Sequence, residues 1–186
     1  LRRQADDAPR VGVNQLLADL GQLIRVHPSL QNNQFTIRPL PEDIGVRMNG
    51  TDVIQVLLNL AVNSFQCSSR AHAVDIEGRI LPQALDLTAF KDSPEDRLLN
   101  VECFDNTTPL LMFSIRDDGP GIPPETLPKV FQAYFTTKGA RQGTGLGLNI
   151  VQRLIKEARG VLHVHTKVGE GTCFTVYLPA VPLATA

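Results

Sequence analysis

The chain has 186 residues, of which 42% are hydrophobic and 20% are charged, and its formal net charge at pH 7 is −1. This length fits one domain with a sizeable core. The near-neutral charge argues against a nucleic-acid-binding protein, which normally has a strong basic excess. No apolar run reaches the length of a membrane span, and the start has no signal-peptide core. Three widely separated cysteines indicate reduced thiols in a cytoplasmic protein: Cys67, Cys103 and Cys173.

Hydrophobic periodicity predicts three helices. Apolar residues at helical spacing cover 13–24 and stop before a proline. A central helix begins after Asn49, a good N-cap, with Asp52 in its first turn, where a carboxylate suits the helix dipole. The third helix covers 148–158 and has Gly160 as its expected C′ residue.

Alternation of apolar and polar residues predicts the strands. The alternating runs are 34–39, 73–81, 110–116, 161–166 and 172–178, and the last two form a hairpin. This element order predicts an α/β (α+β) two-layer sandwich, in which about three helices lie on one face of a mixed, mostly antiparallel sheet.

The same patterns divide the chain. We expect one domain over 11–180, interrupted by a long insertion at 82–109 with one extra strand and no assigned function. Residues 1–10 read as the end of a preceding helical segment or linker, and 181–186 as a tail. The chain is therefore expected to be part of a larger protein, and whether that parent is membrane-anchored stays open.

One face of the central helix, in VIQVLLNLAVNSFQ at 53–66, has amide side chains. At about 100° per residue, four amides fall in one narrow arc: Gln55, Asn59, Asn63 and Gln66. Apolar residues occupy nearly all the rest of the circumference, so we expect a buried helix whose amides need partners. Either the protein satisfies these amides internally, or they line a site that a ligand or ion completes.

Two glycine-containing segments add to this stripe of amides. Asp117-Asp118-Gly119-Pro120-Gly121 ends a strand, where a carboxylate can accept a hydrogen bond from an exocyclic amine. Taken alone, it is better explained as a tight turn. Gly143-Thr-Gly-Leu-Gly-Leu148 opens a helix, where free N–H groups bind phosphate, although a hinge without a ligand is the alternative. Its spacing fits neither the P-loop nor the dinucleotide-binding fingerprint.

Together these segments resemble the motifs of the Bergerat-type ATP-binding fold of the GHKL superfamily. Sensor histidine kinases, gyrase-type ATPases, heat-shock chaperone ATPases and anti-sigma-factor kinases share that fold. QVLLNLAVNS (55–64) resembles the N box, RDDGPGIP (116–123) the G1 box, VFQAYFTTK (130–138) the F box and GTGLGLNIV (143–151) the G2 box. GEGTCFTVYLP (169–179) is similar to the closing hairpin of the family. The resemblance covers 13–179 apart from the insertion.

The resemblance implies that the chain binds ATP with Mg²⁺. Asn63 would hold the metal, and Asn59 would assist directly or through water, since amide oxygens and water suit this hard cation. Asp117 would accept a hydrogen bond from the adenine amine. Gly119 and Gly121 would let the ring approach the backbone.

The resemblance also assigns residues of the lid and the hairpin. Lys138 would neutralise phosphate charge and would act in catalysis together with Asn59 and Asn63, whereas Arg141 is better explained as a solvated loop charge. Thr172 would support Asp117 or the adenine. The other residues expected to line the nucleotide site are Phe135, Gly143, Thr144, Gly145, Leu146, Gly147 and Leu148.

Position 59 favours the histidine-kinase branch. The ATPase branches usually have a general-base Glu there, whereas the amide of Asn59 cannot take a proton at neutral pH. Phosphoryl transfer rather than hydrolysis is therefore the implied reaction, and the F box with its TTK run resembles the short-lid, nitrogen-regulation-type branch.

Three features depart from the family. Ser64-Phe65-Gln66-Cys67 lacks the phosphate-contacting Lys of Ala-x-Lys-Tyr, Ala133 replaces a frequent Pro, and the insertion is unusually long.

None of the four histidines, His27, His72, His163 and His165, fits the phosphoacceptor motif of the family. The resemblance thus implies the catalytic domain of a two-component sensor histidine kinase, which transfers the γ-phosphoryl of ATP to a histidine on an upstream dimerisation hairpin. The expected partners are that hairpin, in a homodimeric parent, and a response regulator. Two alternatives remain: an anti-sigma-type serine kinase, and a degenerate, non-catalytic GHKL module that serves as an interaction surface.

Overall fold

The helices lie where the periodicity predicts them. The structure, a computed structural model, describes residues 11–135 and 145–183. Its α-helices are α1 (Val13–Val26), α2 (Gly50–Phe65) and α3 (Gly147–Glu157). Asn49 caps α2 as predicted, because its side-chain oxygen accepts a hydrogen bond from the Thr51 N–H at 3.0 Å. Asp52 lies in the first turn of the helix.

The end of α3 differs from the prediction. The helix ends at Glu157, and Arg159, not Gly160, takes the left-handed C′ conformation, with φ +57°. Gly160 follows, where a β-carbon would lie 2.7 Å from the carbonyl oxygen of Tyr177. Glycine is required at 160 because a neighbouring strand passes close to the backbone there.

Within the described ranges the strands form one seven-stranded mixed sheet. They are β1 (Gln34–Arg38), β2 (Gly45–Val46), β3 (Ala73–Leu81), β4 (Asp96–Leu99), β5 (Leu110–Asp117), β6 (Val161–Lys167) and β7 (Gly171–Val181). Their order is β1-β3-β5-β7-β6-β4, and β2 pairs with the end of β7. The β1–β3 pair is parallel and the other pairs are antiparallel. Only β2 was not predicted, because a two-residue strand is too short to show alternation.

The helices cover one face of this sheet. Leu111, Phe113 and Ile115 of β5 belong to the core cluster that also includes the buried residues of α2. The central helix α2 packs against both α1 and α3. The predicted two-layer sandwich is therefore confirmed. Among the residues that the structure describes, no helix is long and apolar enough to cross a membrane.

The insertion at 82–109 covers part of the opposite face. Its strand, β4, pairs antiparallel with β6, which confirms the extra strand. The ring of Phe90 makes edge contacts with His163 and Tyr177, at centroid distances of 5.0 and 6.3 Å. The Asn106 side chain closes the base of the insertion by accepting from the Leu85 N–H and donating to its carbonyl, at 2.8 and 2.9 Å. The insertion thus adds an edge strand to the sheet, places Phe90 on the outer face, and contacts α3 on the other face through Asn100, which donates to the Gln152 carbonyl at 2.9 Å.

Candidate functional site

Asp117 is a buried carboxylate at the end of β5. Its side chain is 3% exposed, and its Oδ1 accepts hydrogen bonds from the N–H groups of Gly119 and Thr172, at 3.1 and 3.3 Å. Burial raises the pKa of this carboxyl, although the Ser64 hydroxyl, the two amides and the charge of His72 oppose the rise. A carboxylate held in this way can accept one more hydrogen bond from the amine of a ligand.

The amide stripe of α2 faces outward, which corrects the expectation of buried amides. Asn59 and Asn63 are half-buried, and Gln55 is exposed. Gln66, also half-buried, donates through Nε2 to the Ser29 hydroxyl at 2.7 Å, so its side chain connects α2 to the loop after α1. The stripe can therefore reach a ligand without any rearrangement of the core.

The start of α3 lies against this stripe. A β-carbon built on Gly147, the first residue of α3, would lie 3.6 Å from Oδ1 of Asn59. Leu146 occupies the N-cap position and makes no side-chain hydrogen bond to the first turn. N–H groups at an uncapped helix start bind anions readily. Leu148 points into the core and is 9% exposed, so only its backbone can serve a ligand.

The F box packs on the G2 loop. Gly145 has φ +66°, and its carbonyl accepts a hydrogen bond from the Tyr134 N–H at 2.9 Å. A β-carbon at Gly145 would collide with the backbone of Tyr134. Phe135, the next residue, is half-buried. The structure therefore places the described part of the F box beside the glycines that open α3, as the motifs imply.

Two more glycines are required by close packing around Asp117. Gly121 has φ +72°, and a β-carbon there would overlap the carbonyl oxygen of Lys167 at the end of β6. Gly171, with φ +109°, packs in the same way against the carbonyl oxygen of Asp117. Thr172 contacts Asp117 through its backbone N–H, while its hydroxyl lies 2.9 Å from the hydroxyl of Thr166. The hairpin thus fixes the loop that follows β5.

Several expected site residues fall outside the described ranges. They are Lys138, Arg141, Gly143 and Thr144, and the roles given to them stay predictions. Within the described ranges, no group of three or more His, Cys, Asp or Glu side chains could hold a metal ion.

The sequence analysis missed two residues beside Asp117. The Sγ of Cys67 lies 3.5 Å from Nε2 of His72 and 3.9 Å from Oδ1 of Asp117. It also occupies the place where a side chain at Gly119 would begin. The sequence did hint at Cys67, because this residue departs from the Ala-x-Lys-Tyr pattern of the family. Its contacts, however, depend on how β3 and β5 pair, which no local pattern shows.

Comparison with known proteins identifies the family. The family described as histidine kinase-, DNA gyrase B-, and HSP90-like ATPases matches residues 48–182. The chain belongs to this family. The match includes all four resembling motifs and the closing hairpin, so the sequence-based assignment to an ATP-binding domain of the histidine-kinase type is confirmed.

Named relatives within this family are sensor kinases. "Sensor kinase CckA" of Brucella abortus (strain 2308) is 34% identical over 126 residues, which are 67% of this chain and 12% of CckA. "Sensor histidine kinase ZraS" of Salmonella typhi is 35% identical over 127 residues, which are 68% of this chain and 22% of ZraS. The catalytic domain of histidine kinase ThkA shares the fold, with a TM-score of 0.67 at 24% identity over 95% of this chain and 97% of that domain. The chain thus spans less than a quarter of either curated relative.

Proposed function

We propose that this chain is the ATP-binding, phosphoryl-donating domain of a sensor histidine kinase. The observation that best supports the proposal is the environment of Asp117, a buried carboxylate whose Oδ1 is fixed by the amides of Gly119 and Thr172. Two half-buried asparagines of α2, Asn59 and Asn63, and the uncapped start of α3 beside Asn59 give further support. This combination suits a ligand with an amine-bearing ring at one end and phosphates at the other.

The adenine end would be recognised by Asp117. Its carboxylate would accept a hydrogen bond from the exocyclic amine, which distinguishes adenine from guanine because guanine presents a carbonyl acceptor at the equivalent position. Thr172 would act through its N–H, by orienting the carboxylate. Gly119 and Gly121 would admit the ring, and their described contacts with Cys67 and Lys167 show how little room a side chain would have.

The phosphate end would lie between α2 and α3. N–H groups of Gly145, Leu146, Gly147 and Leu148 would face the phosphates, together with Gly143, Thr144 and Lys138 of the lid and Phe135 of the F box. The residues present fit Mg²⁺, because Asn59 places an amide oxygen beside the start of α3 and Asn63 follows on the same half-buried stripe. When bound, Mg²⁺ would neutralise phosphate charge, and Asn63 and Asn59 would hold it.

The reaction would be phosphoryl transfer rather than hydrolysis. The amide of Asn59 stands where the ATPase branches have a general base, and an amide cannot accept a proton at neutral pH. The chain would position the γ-phosphoryl group for in-line attack by an imidazole nitrogen, so its contribution is positioning and charge neutralisation.

The acceptor would lie on a dimerisation hairpin outside this chain. His163 and His165 both bond Asp96 on the outer face of the sheet, at 3.0 and 2.9 Å. His27 accepts from the Ser29 N–H at 3.1 Å, and His72 contacts backbone carbonyls. These contacts support structural roles for all four histidines. The proposal also includes a homodimeric parent protein in the cytoplasm, with a response regulator as its partner. The lid would be short, as in the nitrogen-regulation type.

The test uses γ-labelled ATP with Mg²⁺ and a longer form of the protein that includes the preceding segment. We expect an acid-labile, alkali-stable label on a histidine outside residues 1–186, and, at ATP concentrations near the wild-type Kd, about 10-fold or more less label in Asp117→Asn. The chain alone should hydrolyse ATP far below the ~1 s⁻¹ at the low end of ordinary enzyme turnover. Fast hydrolysis by the chain alone, or a label on serine, would contradict the proposal.

A further inference from the structure

Ser64 has a buried hydroxyl without a hydrogen-bond partner. The residue lies in the last turn of α2 and is 1% exposed. Its Oγ makes no hydrogen bond with any of the residues that the structure describes. A serine in a helix can bond the carbonyl one turn earlier, but Ser64 does not. Since an unpartnered buried hydroxyl lowers the stability of the fold, its place next to the proposed site calls for a functional explanation.

The hydroxyl lies beside the carboxyl of Asp117. Burial raises the pKa of Asp117, and the Ser64 hydroxyl is the strongest of the groups that oppose the rise. The two side chains nevertheless make no hydrogen bond of ordinary geometry. The hydroxyl is therefore close to the adenine end of the proposed site and can donate to another acceptor.

The end of α2 holds Ser64 in this place. Nε2 of His72 lies 2.7 Å from the carbonyl oxygen of Ser64, and Nδ2 of Asn33 donates to the carbonyl of Phe65 at 3.0 Å. The last carbonyls of a helix have no partner within the helix, so these contacts fix its end. With the backbone fixed, the hydroxyl can reach a new partner only by rotation of the Ser64 side chain.

Asp117 leaves one oxygen for a ligand. Its hydrogen bonds with the described residues all end on Oδ1, which accepts from the N–H groups of Gly119 and Thr172 and lies 3.9 Å from Sγ of Cys67. Oδ2 is therefore the oxygen that can accept from an amine. An acceptor, Oδ2, and a donor, the Ser64 hydroxyl, thus lie side by side.

This pair of groups matches one edge of adenine. The ring has an amine donor at C6 and, next to it, the acceptor N1. Guanine has the reverse pattern, with an acceptor at C6 and a donor at N1. We propose that Ser64 is a further specificity-determining residue of the nucleotide site, whose hydroxyl donates to N1 of adenine, directly or through one water. This inference deepens the function proposed above and rests on it.

The test measures binding of three magnesium-loaded nucleotides to the full chain by calorimetry. They are ADP, 1-deaza-ADP, which has a C–H group in place of N1, and 7-deaza-ADP, which keeps N1 and loses a different ring nitrogen. Each is titrated into the wild type, Ser64→Ala and the control Ser114→Ala. Ser114 is a half-buried serine of β5 that alternates with the core residues Phe113 and Ile115, so its side chain lies on the opposite face of the sheet.

We expect Ser64→Ala to bind ADP about 3- to 10-fold more weakly than the wild type, the size of one net hydrogen bond. The same loss should appear with 7-deaza-ADP. With 1-deaza-ADP the two proteins should bind equally, because the partner of the hydroxyl is already missing. Ser114→Ala should match the wild type with all three nucleotides. An equal loss with ADP and 1-deaza-ADP, or a loss that disappears only with 7-deaza-ADP, would overturn the assignment to N1.

The wild type alone supplies a test that needs no variant. It should bind 1-deaza-ADP about 3- to 10-fold more weakly than ADP, and equal affinities would overturn the proposal. Urea unfolding of Ser64→Ala should give a midpoint no lower than that of the wild type, because alanine leaves no hydroxyl unpaired. A lower midpoint with unchanged affinity for ADP would show that the hydroxyl is structural.

Failure of the proposed function is distinguishable from failure of this inference. If the wild type binds none of the three nucleotides, the proposed function itself fails. If the wild type binds ADP and Ser64→Ala binds it equally well, the function stands and only the role of Ser64 is overturned.

Discussion

The carboxyl of Asp117 is buried, and burial makes its charged form unfavourable. Burial raises the pKa of its carboxyl despite the neighbouring donors, so the folded state favours the protonated form more than the unfolded chain does. A raised carboxyl pKa means that the stability contribution of Asp117 falls as pH rises from the ordinary value of about 3.9 through the folded value, and stays lower at neutral pH. A residue that lowers stability at a cleft is typical of a functional site.

Asp117→Asn should therefore separate stability from binding. Asn has no charge to bury, and its side-chain oxygen can still accept from Gly119 and Thr172. We expect the variant to be at least as stable as the wild type at pH 7, and the difference to shrink below about pH 3.9. Urea unfolding at both pH values measures this. A variant that is clearly less stable at pH 7 would show that the carboxylate is structural.

Gly119→Ala should weaken nucleotide binding through sterics. The new β-carbon would overlap Sγ of Cys67 and lie 2.9 Å from Oδ1 of Asp117, so the loop must move. We expect a fall in affinity for Mg·ADP of at least ~10-fold, equivalent to about 1.4 kcal/mol. Gly21→Ala, where the β-carbon would meet only Ile37 at 3.4 Å inside α1, is the matched control and should bind ADP normally. Unchanged binding by Gly119→Ala would remove this loop from the site.

At the scale of elements, periodicity predicted α2 and its cap but not its environment. Asn49, Asp52 and the length of the helix were readable because caps and periods are local. The sequence did not show that Asn59 and Asn63 are only half-buried, with Asn59 beside the start of α3, because this depends on where α3 starts relative to α2. A helical period shows which residues share a face, and not what that face contacts.

The insertion illustrates the same limit. Its strand was expected, but the packing of Phe90 on the outer face of the sheet follows from contacts between distant residues. Phe90 packs on His163 and Tyr177, and Asp96 accepts hydrogen bonds from His163 and His165. Burial alone would raise the pKa of Asp96, but the hydrogen bonds from the two histidines and a serine outweigh it, so the pKa is lowered.

This lowered pKa predicts that acid loosens the insertion. A depressed carboxyl pKa stabilises the fold above the ordinary value of about 3.9, and that stabilisation is lost as pH falls through the folded value. The chain has no Trp and two Tyr, so Phe90→Trp places a single tryptophan on the insertion, which can be excited selectively at the red edge of its absorption. We expect its emission to shift to the red as pH falls below about 4, before far-UV circular dichroism changes.

Adding Asp96→Asn to Phe90→Trp supplies the control. The double variant should show the red-shifted emission already at pH 7, and no further transition from this group in acid. Asp75→Asn, which removes an exposed carboxylate on β3, should leave the acid transition as it is. An acid transition that is identical with and without Asp96 would show that its contacts with the two histidines do not hold the insertion.

At the scale of the whole molecule, the fold could be predicted because the N, G1, F and G2 boxes occur in the sequence in the order that the family has. Four short segments lie far apart in the chain, and the structure brings their described parts into contact: α2 packs on β5, Asn59 lies beside Gly147, and Tyr134 bonds Gly145. The sheet pairing that places Cys67 beside Asp117 was not predictable, because β3 and β5 join residues separated by the whole insertion. Family membership explains why the motif-level prediction succeeded where local patterns did not.

Calorimetric titration of Mg·ADP into the wild type and Asp117→Asn tests the central claim most directly. The account predicts micromolar-range binding to the wild type. It predicts a loss of about 10- to 100-fold in the variant, because a hydrogen bond to a charged group contributes about 1.5–3 kcal/mol. If the wild type does not bind, or if both proteins bind equally, the cleft at Asp117 is not the adenine site.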